Sequence, residues 1–175
     1  EIESFLKKNN VHYNISKRFL VILDLDSEIT MLANTKRDTR TRLNKILRYN
    51  YNISNIYDSK FNNHYSTIAE RNKFSLIYRY NNDDLESITD LEDIIPISIY
   101  DVKGSYIGGS ILGRVDDSMC DYILSAYDLN YKNSGRIILW HSIIRARELG
   151  FKKINLGGGI KNNDNLESFK LSFGG

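Results

Sequence analysis

Four groups of residues in this chain have types and spacings suited to chemistry. The first is Lys132-Asn133-Ser134-Gly135-Arg136, where residues able to cap a helix, a glycine and two cations precede a long helical pattern. A helix start leaves backbone N–H groups unpaired and carries a partial positive charge, so this composition suits a phosphate or pyrophosphate, and equally an ordinary capped helix. The second is Gly157-Gly158-Gly159, which lets backbone N–H and C=O groups approach a ligand closely, or simply makes a turn. In the third, Asp164-x-x-Glu167 reads as a capping pair in preference to an acid/base pair, and Lys170 lies one turn further in. Its ammonium can serve a developing oxyanion, a phosphate or only the solvent. The fourth runs from Lys36 to Arg48 and holds six cations (Lys36, Arg37, Arg40, Arg42, Lys45, Arg48) against one carboxylate, Asp38. Such a stretch can hold phosphates of tRNA, of coenzyme A or of a nucleotide-linked acceptor, or form a solvated basic face. Among twelve tyrosines, Tyr127, with Asp128 beside it at the end of a strand pattern, is the best-placed general-acid candidate.

Other chemistries find little support. His12, His64 and His141 are scattered, with no H-x-x-x-H spacing and no cysteine partner, so no metal is expected. No G-x-S-x-G motif marks a hydrolase nucleophile. The net charge of +2, from 24 basic and 22 acidic residues, demands no nucleic-acid or membrane partner globally. Cys120 is the lone cysteine, which excludes an internal disulfide framework and fits a reducing compartment, so the expected location is cytoplasmic. No apolar run approaches the roughly 18 residues of a membrane span. At 175 residues and 41% hydrophobic, one domain with one sizeable core is expected. The opening EIESFLKKNN lacks an initiator Met and reads as the tail of a helix, so residues 1–18 are expected to close a preceding element of a longer polypeptide.

The elements that must position these groups follow from periodicity. Phe19–Leu25 is a continuous apolar run of strand length, expected to be a buried first strand. Ser27 precedes a helical piece with Met31 and Leu32, and Leu43, Ile46 and Leu47 share one face of the basic helix. Tyr51–Ile56 alternates as a strand, Phe61–Asn72 has helical spacing, and the acidic 81–93 segment forms a surface helix anchored by Leu85 and Ile88. From Ile94 the period becomes two: Ile95–Val102, Tyr106–Val115 and Met119–Tyr127 are joined by short turns, giving an antiparallel meander. Pro96 belongs near a strand start or an edge, and Gly108-Gly109 predicts a bulge or a close backbone approach. Gly135–Gly150 is an amphipathic helix with Leu139, Ile143, Ala146 and Leu149 facing the core and Arg145 and Glu148 facing water. Lys152–Leu156 is a strand parallel to its predecessor, and Asn163–Gly175 holds the last helix.

This order, with FLVILDLDSE, KRDTRTRLNKILRYNYNIS, ILWHSIIRARELGFKKINLGGG and DNLESFKLSFGG in sequence, resembles the GNAT acyltransferase superfamily. Within it, the segments are most similar to Fem-type transferases and CelD-like acetyltransferases. The resemblance covers 19–175 and implies an α/β, GNAT-like mixed sheet: an antiparallel meander plus a parallel C-terminal strand, flanked by helices. It implies a V between the strands at Met119–Tyr127 and Lys152–Leu156 that holds an acyl group. GNAT enzymes using acyl-CoA carry a basic residue, two variable residues, Gly, any residue, then Gly or Ala at the helix turn. Lys132-x-x-Gly135 fits the first half, whereas Ile137 replaces the second small residue.

The implied activity is an N-acyltransferase moving an acyl group from acyl-CoA to an amine without a metal. The alternatives are a Fem-type transferase using aminoacyl-tRNA on a cell-wall precursor, and a non-catalytic acceptor-binding module. The implied site comprises Lys170, Tyr127 and Asp128 for catalysis, and Lys132, Asn133, Ser134, Gly135 and Arg136 for the donor. Gly157, Gly158, Gly159, Phe169 and Arg40 would contact substrate. GNAT folds continue with two further strands after the final motif, so a missing C-terminal hairpin is also expected.

Overall fold

A computed structural model describes Leu20–Gly159 and Asp164–Gly174. Expectations for residues 1–18, and those touching Phe19, Asn163 and Gly175, lie outside the described residues. Strands β1 (Ile22–Asp24), β2 (Asn52–Ser54), β3 (Ile94–Tyr100), β4 (Tyr106–Arg114), β5 (Met119–Tyr127) and β6 (Lys153–Asn155) form a sheet ordered β1-β6-β5-β4-β3-β2. Among the described residues only the β5–β6 pair is parallel; the remaining neighbours are antiparallel. The helices are α1 (Glu28–Asn34), α2 (Arg37–Ile46), α3 (Lys60–Arg71), α4 (Asn82–Thr89), α5 (Ser134–Glu148) and α6 (Asn165–Leu171), with a 3₁₀ turn at Leu76–Tyr78. The expected meander and parallel crossover are both present.

Both faces of the sheet are covered. Met31 of α1, Leu43 and Ile46 of α2, the α5 residues Ile138 and Ile143, and Phe173 join Ile107 and Leu112 of β4 in one core. Phe61, Tyr65 and Ile68 of α3 and Leu85 of α4 join Tyr106 and Ile111 in the other. Strand β4 therefore alternates between two apolar layers, and in it only Arg114 is exposed.

Three local expectations change. The run from Leu20 to Leu25 is not a central strand but the sheet edge, paired on one side with β6. Val21, Leu23 and Leu25 point inward, while Leu20 and Ile22 keep 58% and 43% exposure; an unbroken apolar run does not reveal how many of its faces find cover. Helix α5 is enclosed rather than striped: Ile137, Ile138, Leu139 and Trp140 are all buried, because α5 lies between the sheet and α2. Leu149, expected in the core, is instead 37% exposed past the helix end. Arg145 and Glu148 face water as expected, and there they pair with each other at 2.9 Å, while Arg145 also donates to Asn55.

The meander glycines do what their position required. Ile107 is an extra residue between the pairs Ile99↔Gly108 and Tyr100↔Tyr106, and Gly108 takes φ +151°. A Cβ on Gly109 would collide with the Ile97 carbonyl oxygen. Pro96 pairs with Ile111 near the start of β3, where β2, which reaches only Ser98–Tyr100, leaves the other side open.

Candidate active site

The cleft begins where two strands separate. Pairing of β5 with β6 runs from Met119↔Lys153 to Asp121↔Asn155 and stops. Beyond it, β5 continues to Tyr127 against β4 alone, while the chain after Asn155 turns to the edge strand, with Leu156 N–H donating to Val21 O at 2.8 Å and Val21 N–H to Gly157 O at 3.2 Å. Among the described residues, the side of β5 facing the gap, from Tyr122 to Tyr127, thus has no strand partner. Backbone groups there are available to polarise and orient a carbonyl.

Side chains fasten the apex. Asn155 Nδ2 donates to Asp121 Oδ1 at 3.0 Å, and Asn155 Oδ1 accepts from Gly157 N–H at 2.8 Å. Gly157 has φ +69°, a conformation that disfavours a side chain. Lys170 Nζ reaches from α6 to donate to Gly158 O at 2.9 Å. Burial holds the Lys170 ammonium below its ordinary range, and the charge of Asp164 draws it partly back. Asp164 caps α6, accepting from Glu167 N–H at 2.8 Å, and leaves no room for a side chain on Gly159. The glycine loop and Lys170 are therefore brought together, and Asp164 acts as the expected cap.

On the opposite wall, burial pushes the Tyr122 hydroxyl pKa up, against a lowering hydrogen bond with Ser125. Tyr127 ends the free edge, and its ring lies 3.1–3.4 Å from where a Gly135 Cβ would be. Gly135 is small because Tyr127 occupies that space. Asp128 is a turn residue: its Oδ1 accepts from Asn130 N–H at 2.8 Å and its carbonyl from Tyr131 N–H at 3.2 Å.

The start of α5 differs from the expectation of a capped turn offering free donors. The N-cap is Asn133 in the left-handed region, φ +63°, with no side-chain cap bond, and Ser134 is buried as the first helical residue. Ser134 N–H is used by Tyr131 O at 3.1 Å and Arg136 N–H by Asn133 O at 2.9 Å. Of the three first-turn N–H groups, this leaves Gly135's for a ligand. Lys132 is exposed. The Arg136 guanidinium lies 5.5 Å over the Phe169 ring, which packs edge-on against Phe173 at 5.3 Å. Arg40 Nη1 donates to Ala33 O at 2.7 Å, closing the end of α1.

Sequence reasoning missed Asp121, Asn155, Tyr122 and Ser125. The asparagine two residues before a strand-ending glycine turn was a readable signal; its aspartate partner, 34 residues away, was not. Among the described residues, no group of three His, Cys, Asp or Glu side chains could hold a metal, and no helix is long and apolar enough to cross a membrane.

The sequence matches no family model and no curated protein. Solved structures do match. The chain is similar to a protein described as FemX, with a TM-score of 0.76 at 14% identity over 91% of this chain and 59% of that one. L-PGS from Bacillus licheniformis gives 0.59 at 11% identity, covering 94% and 52%. A tandem GNAT protein from the clavulanic acid biosynthesis pathway gives 0.58 at 10%, covering 99% and 54%. The chain thus spans little more than half the length of these relatives. The shared feature is the fold: an α/β GNAT-like sheet of the Fem type.

Proposed function

We propose that this GNAT-like unit transfers an acyl or aminoacyl group from an activated donor to an amine. The observation that carries the reading is the open edge of β5 facing a lysine–glycine loop, Lys170 Nζ to Gly158 O at 2.9 Å. In the proposed step the amine nitrogen attacks the donor carbonyl, oriented by N–H groups of the free edge. A tetrahedral oxyanion forms and Lys170 stabilises it. The new C–N bond then persists, the bond to the donor oxygen or sulfur breaks, and the amine's proton leaves with the departing alcohol or thiol. Tyr127, at the mouth, is the candidate that hands on that proton; Asp128 holds the turn behind it.

The donor favoured by the geometry is an aminoacyl ester carried on tRNA, the donor implied by the Fem-type resemblance. Two of the three first-turn N–H groups of α5 are already used, which leaves little for a pyrophosphate, and Ile137 is buried where acyl-CoA enzymes keep Gly or Ala. Acyl-CoA is the second reading, supported by exposed Lys132 and the Gly135 N–H at the same turn. A cytoplasmic location, where both donors are made, belongs to the same proposal, as does the absence of a metal.

The test is turnover of the full chain with each donor and a panel of amines, alongside Lys170→Ala. Loss of an oxyanion donor should lower the rate about 100- to 1000-fold, while the thermal midpoint falls only by what one partly exposed hydrogen bond contributes. An unchanged rate removes Lys170 from catalysis. Amine binding without turnover on either donor supports the acceptor-binding module instead.

A further inference from the structure

Apolar side chains are held in water on the α3 and α4 side of the molecule, away from the cleft's lysine–glycine loop. The 3₁₀ turn at Leu76–Tyr78 presents Leu76 and Ile77 at 83% and 73% exposure. The turn itself is well tied. Phe74 and Tyr80 on either side of it pack into the second core, Tyr65 Oη donates to Tyr78 O at 2.6 Å, and Arg79 Nε donates to Phe74 O at 2.8 Å. The fold therefore fixes Leu76 and Ile77 outward instead of letting them collapse onto the core. With Tyr80, Ser87 and Ile88 they line a groove of about 450 Å³. The apolar surface runs on from Ile88 through Ile94, its neighbour in the second core, to exposed Ile123, which borders the space over Gly113 together with Ile94. A continuous exposed apolar surface of this kind marks an interaction site.

The rim of the groove has one sign of charge. Asp83, Asp84, Glu86, Asp90, Glu92 and Asp93 follow one another with no Lys or Arg between them, and all six are exposed. Among the described residues none of the six belongs to an ion pair. Asp83 precedes Ser87 by one helical turn and Asp90 follows it by one, so both lie along the same lip of the groove. Arg79 also lines the groove, with its Nε committed to Phe74 O. The densest run of cations in the chain, on α2, packs on the opposite face of the sheet and leaves this field unbalanced.

We infer that this groove docks a cationic amphipathic helix of a partner protein, with its apolar stripe against Leu76, Ile77 and Ile88 and its Lys or Arg side chains against the α4 carboxylates. The walls are a turn and a helix, which offer no strand edge to extend, so a helix laid in the groove is the mode that fits. The carboxylates steer the partner and select its sign, while the apolar floor holds it. A second copy of this chain is a poor occupant: its basic helix α2 buries Leu43 and Ile46 and so has cations to offer without an apolar stripe. Anionic membrane is poorer still, because six carboxylates repel its headgroups.

The experiment is fluorescence anisotropy of the full chain with a labelled helical peptide of about 18 leucines and lysines arranged amphipathically. A scrambled peptide of the same composition and a Leu/Glu counterpart are run beside it. The amphipathic Leu/Lys peptide should bind, the other two at least about tenfold more weakly, and its affinity should fall with salt. Ile77→Ser, and Asp83→Lys combined with Asp90→Lys, should each weaken binding about tenfold, whereas Glu28→Lys on α1 should stay within about twofold. Thermal midpoints check that the variants fold, and Leu76→Ser repeats the apolar test at the more exposed position. Absent binding, equal binding of the scrambled peptide, or indifference to the groove substitutions overturns the site. Self-association in sedimentation, or binding to phosphatidylglycerol vesicles, that disappears in Ile77→Ser assigns the surface to a second copy or to lipid and overturns the partner helix. Binding is read without turnover, so none of these outcomes depends on the acyl-transfer reading.

Discussion

His141 offers a pH test worked directly from the structure. It lies on α5 with its ring edge-on to Tyr51 at 5.2 Å and its Nε2 buried without a partner. Burial lowers its pKa from 6.5 to about 4, against a smaller raising effect of Glu148. The sign follows from linkage. Above pH 6.5 the imidazole is neutral in both states and the full stability is present. As pH falls, the unfolded chain takes the proton first, so stability is lost from about 6.5 down to about 4, where the folded chain takes it too. That interval corresponds to about 3.4 kcal/mol in full, of which about 2 kcal/mol is gone by pH 5. In urea unfolding, the stability of the native chain relative to His141→Phe, which keeps a ring of similar size, should therefore drop by about 2 kcal/mol between pH 7.5 and pH 5. Carboxylates common to both proteins cancel in the difference. Parallel stability curves across this range, or an imidazole titrating near 6.5 in the folded chain, would show that His141 is not held neutral by burial.

Three further outcomes are expected. Gly109→Ala should destabilise the chain by about 2 kcal/mol or more, read as a fall in thermal midpoint, because its Cβ would meet the Ile97 carbonyl and the backbone pair has no flexible side chain to yield. Ser142 Oγ donates to Ile138 O at 2.7 Å, and Ser110 Oγ lies 2.6 Å away in the same buried pair. Ser142→Ala should therefore cost about 1–3 kcal/mol and the double alanine variant less than the sum of the singles, a coupling that a double-mutant cycle measures. Asn155→Ala removes both the Asp121 clamp and the acceptor for Gly157 N–H, so hydrogen exchange at Gly157 should quicken and transfer rate should fall together. Protection unchanged at Gly157 would show that the apex is held by backbone alone.

Where structure depends on near neighbours, the sequence was sufficient. The turns Lys103-Gly104-Ser105 and Asp116-Asp117-Ser118 set the meander, and Ser27 and Asp164 cap their helices through the N–H three residues on. Each rests on periodicity or on a hydrogen bond reaching only a few residues, information that a linear chain carries in full. The fold class was legible for the same reason, as an order of locally encoded elements. The tertiary structure decided which faces were covered and which charges met. It made Ile22 an edge residue, enclosed α5 on sides that a single stripe did not predict, and used two of the three first-turn donors of α5 internally. It also joined Asn155 to Asp121 and stacked Arg136 on Phe169, contacts between residues more than thirty positions apart. Burial and electrostatic pairing are properties of what folds against a residue, and that partner is specified elsewhere in the chain.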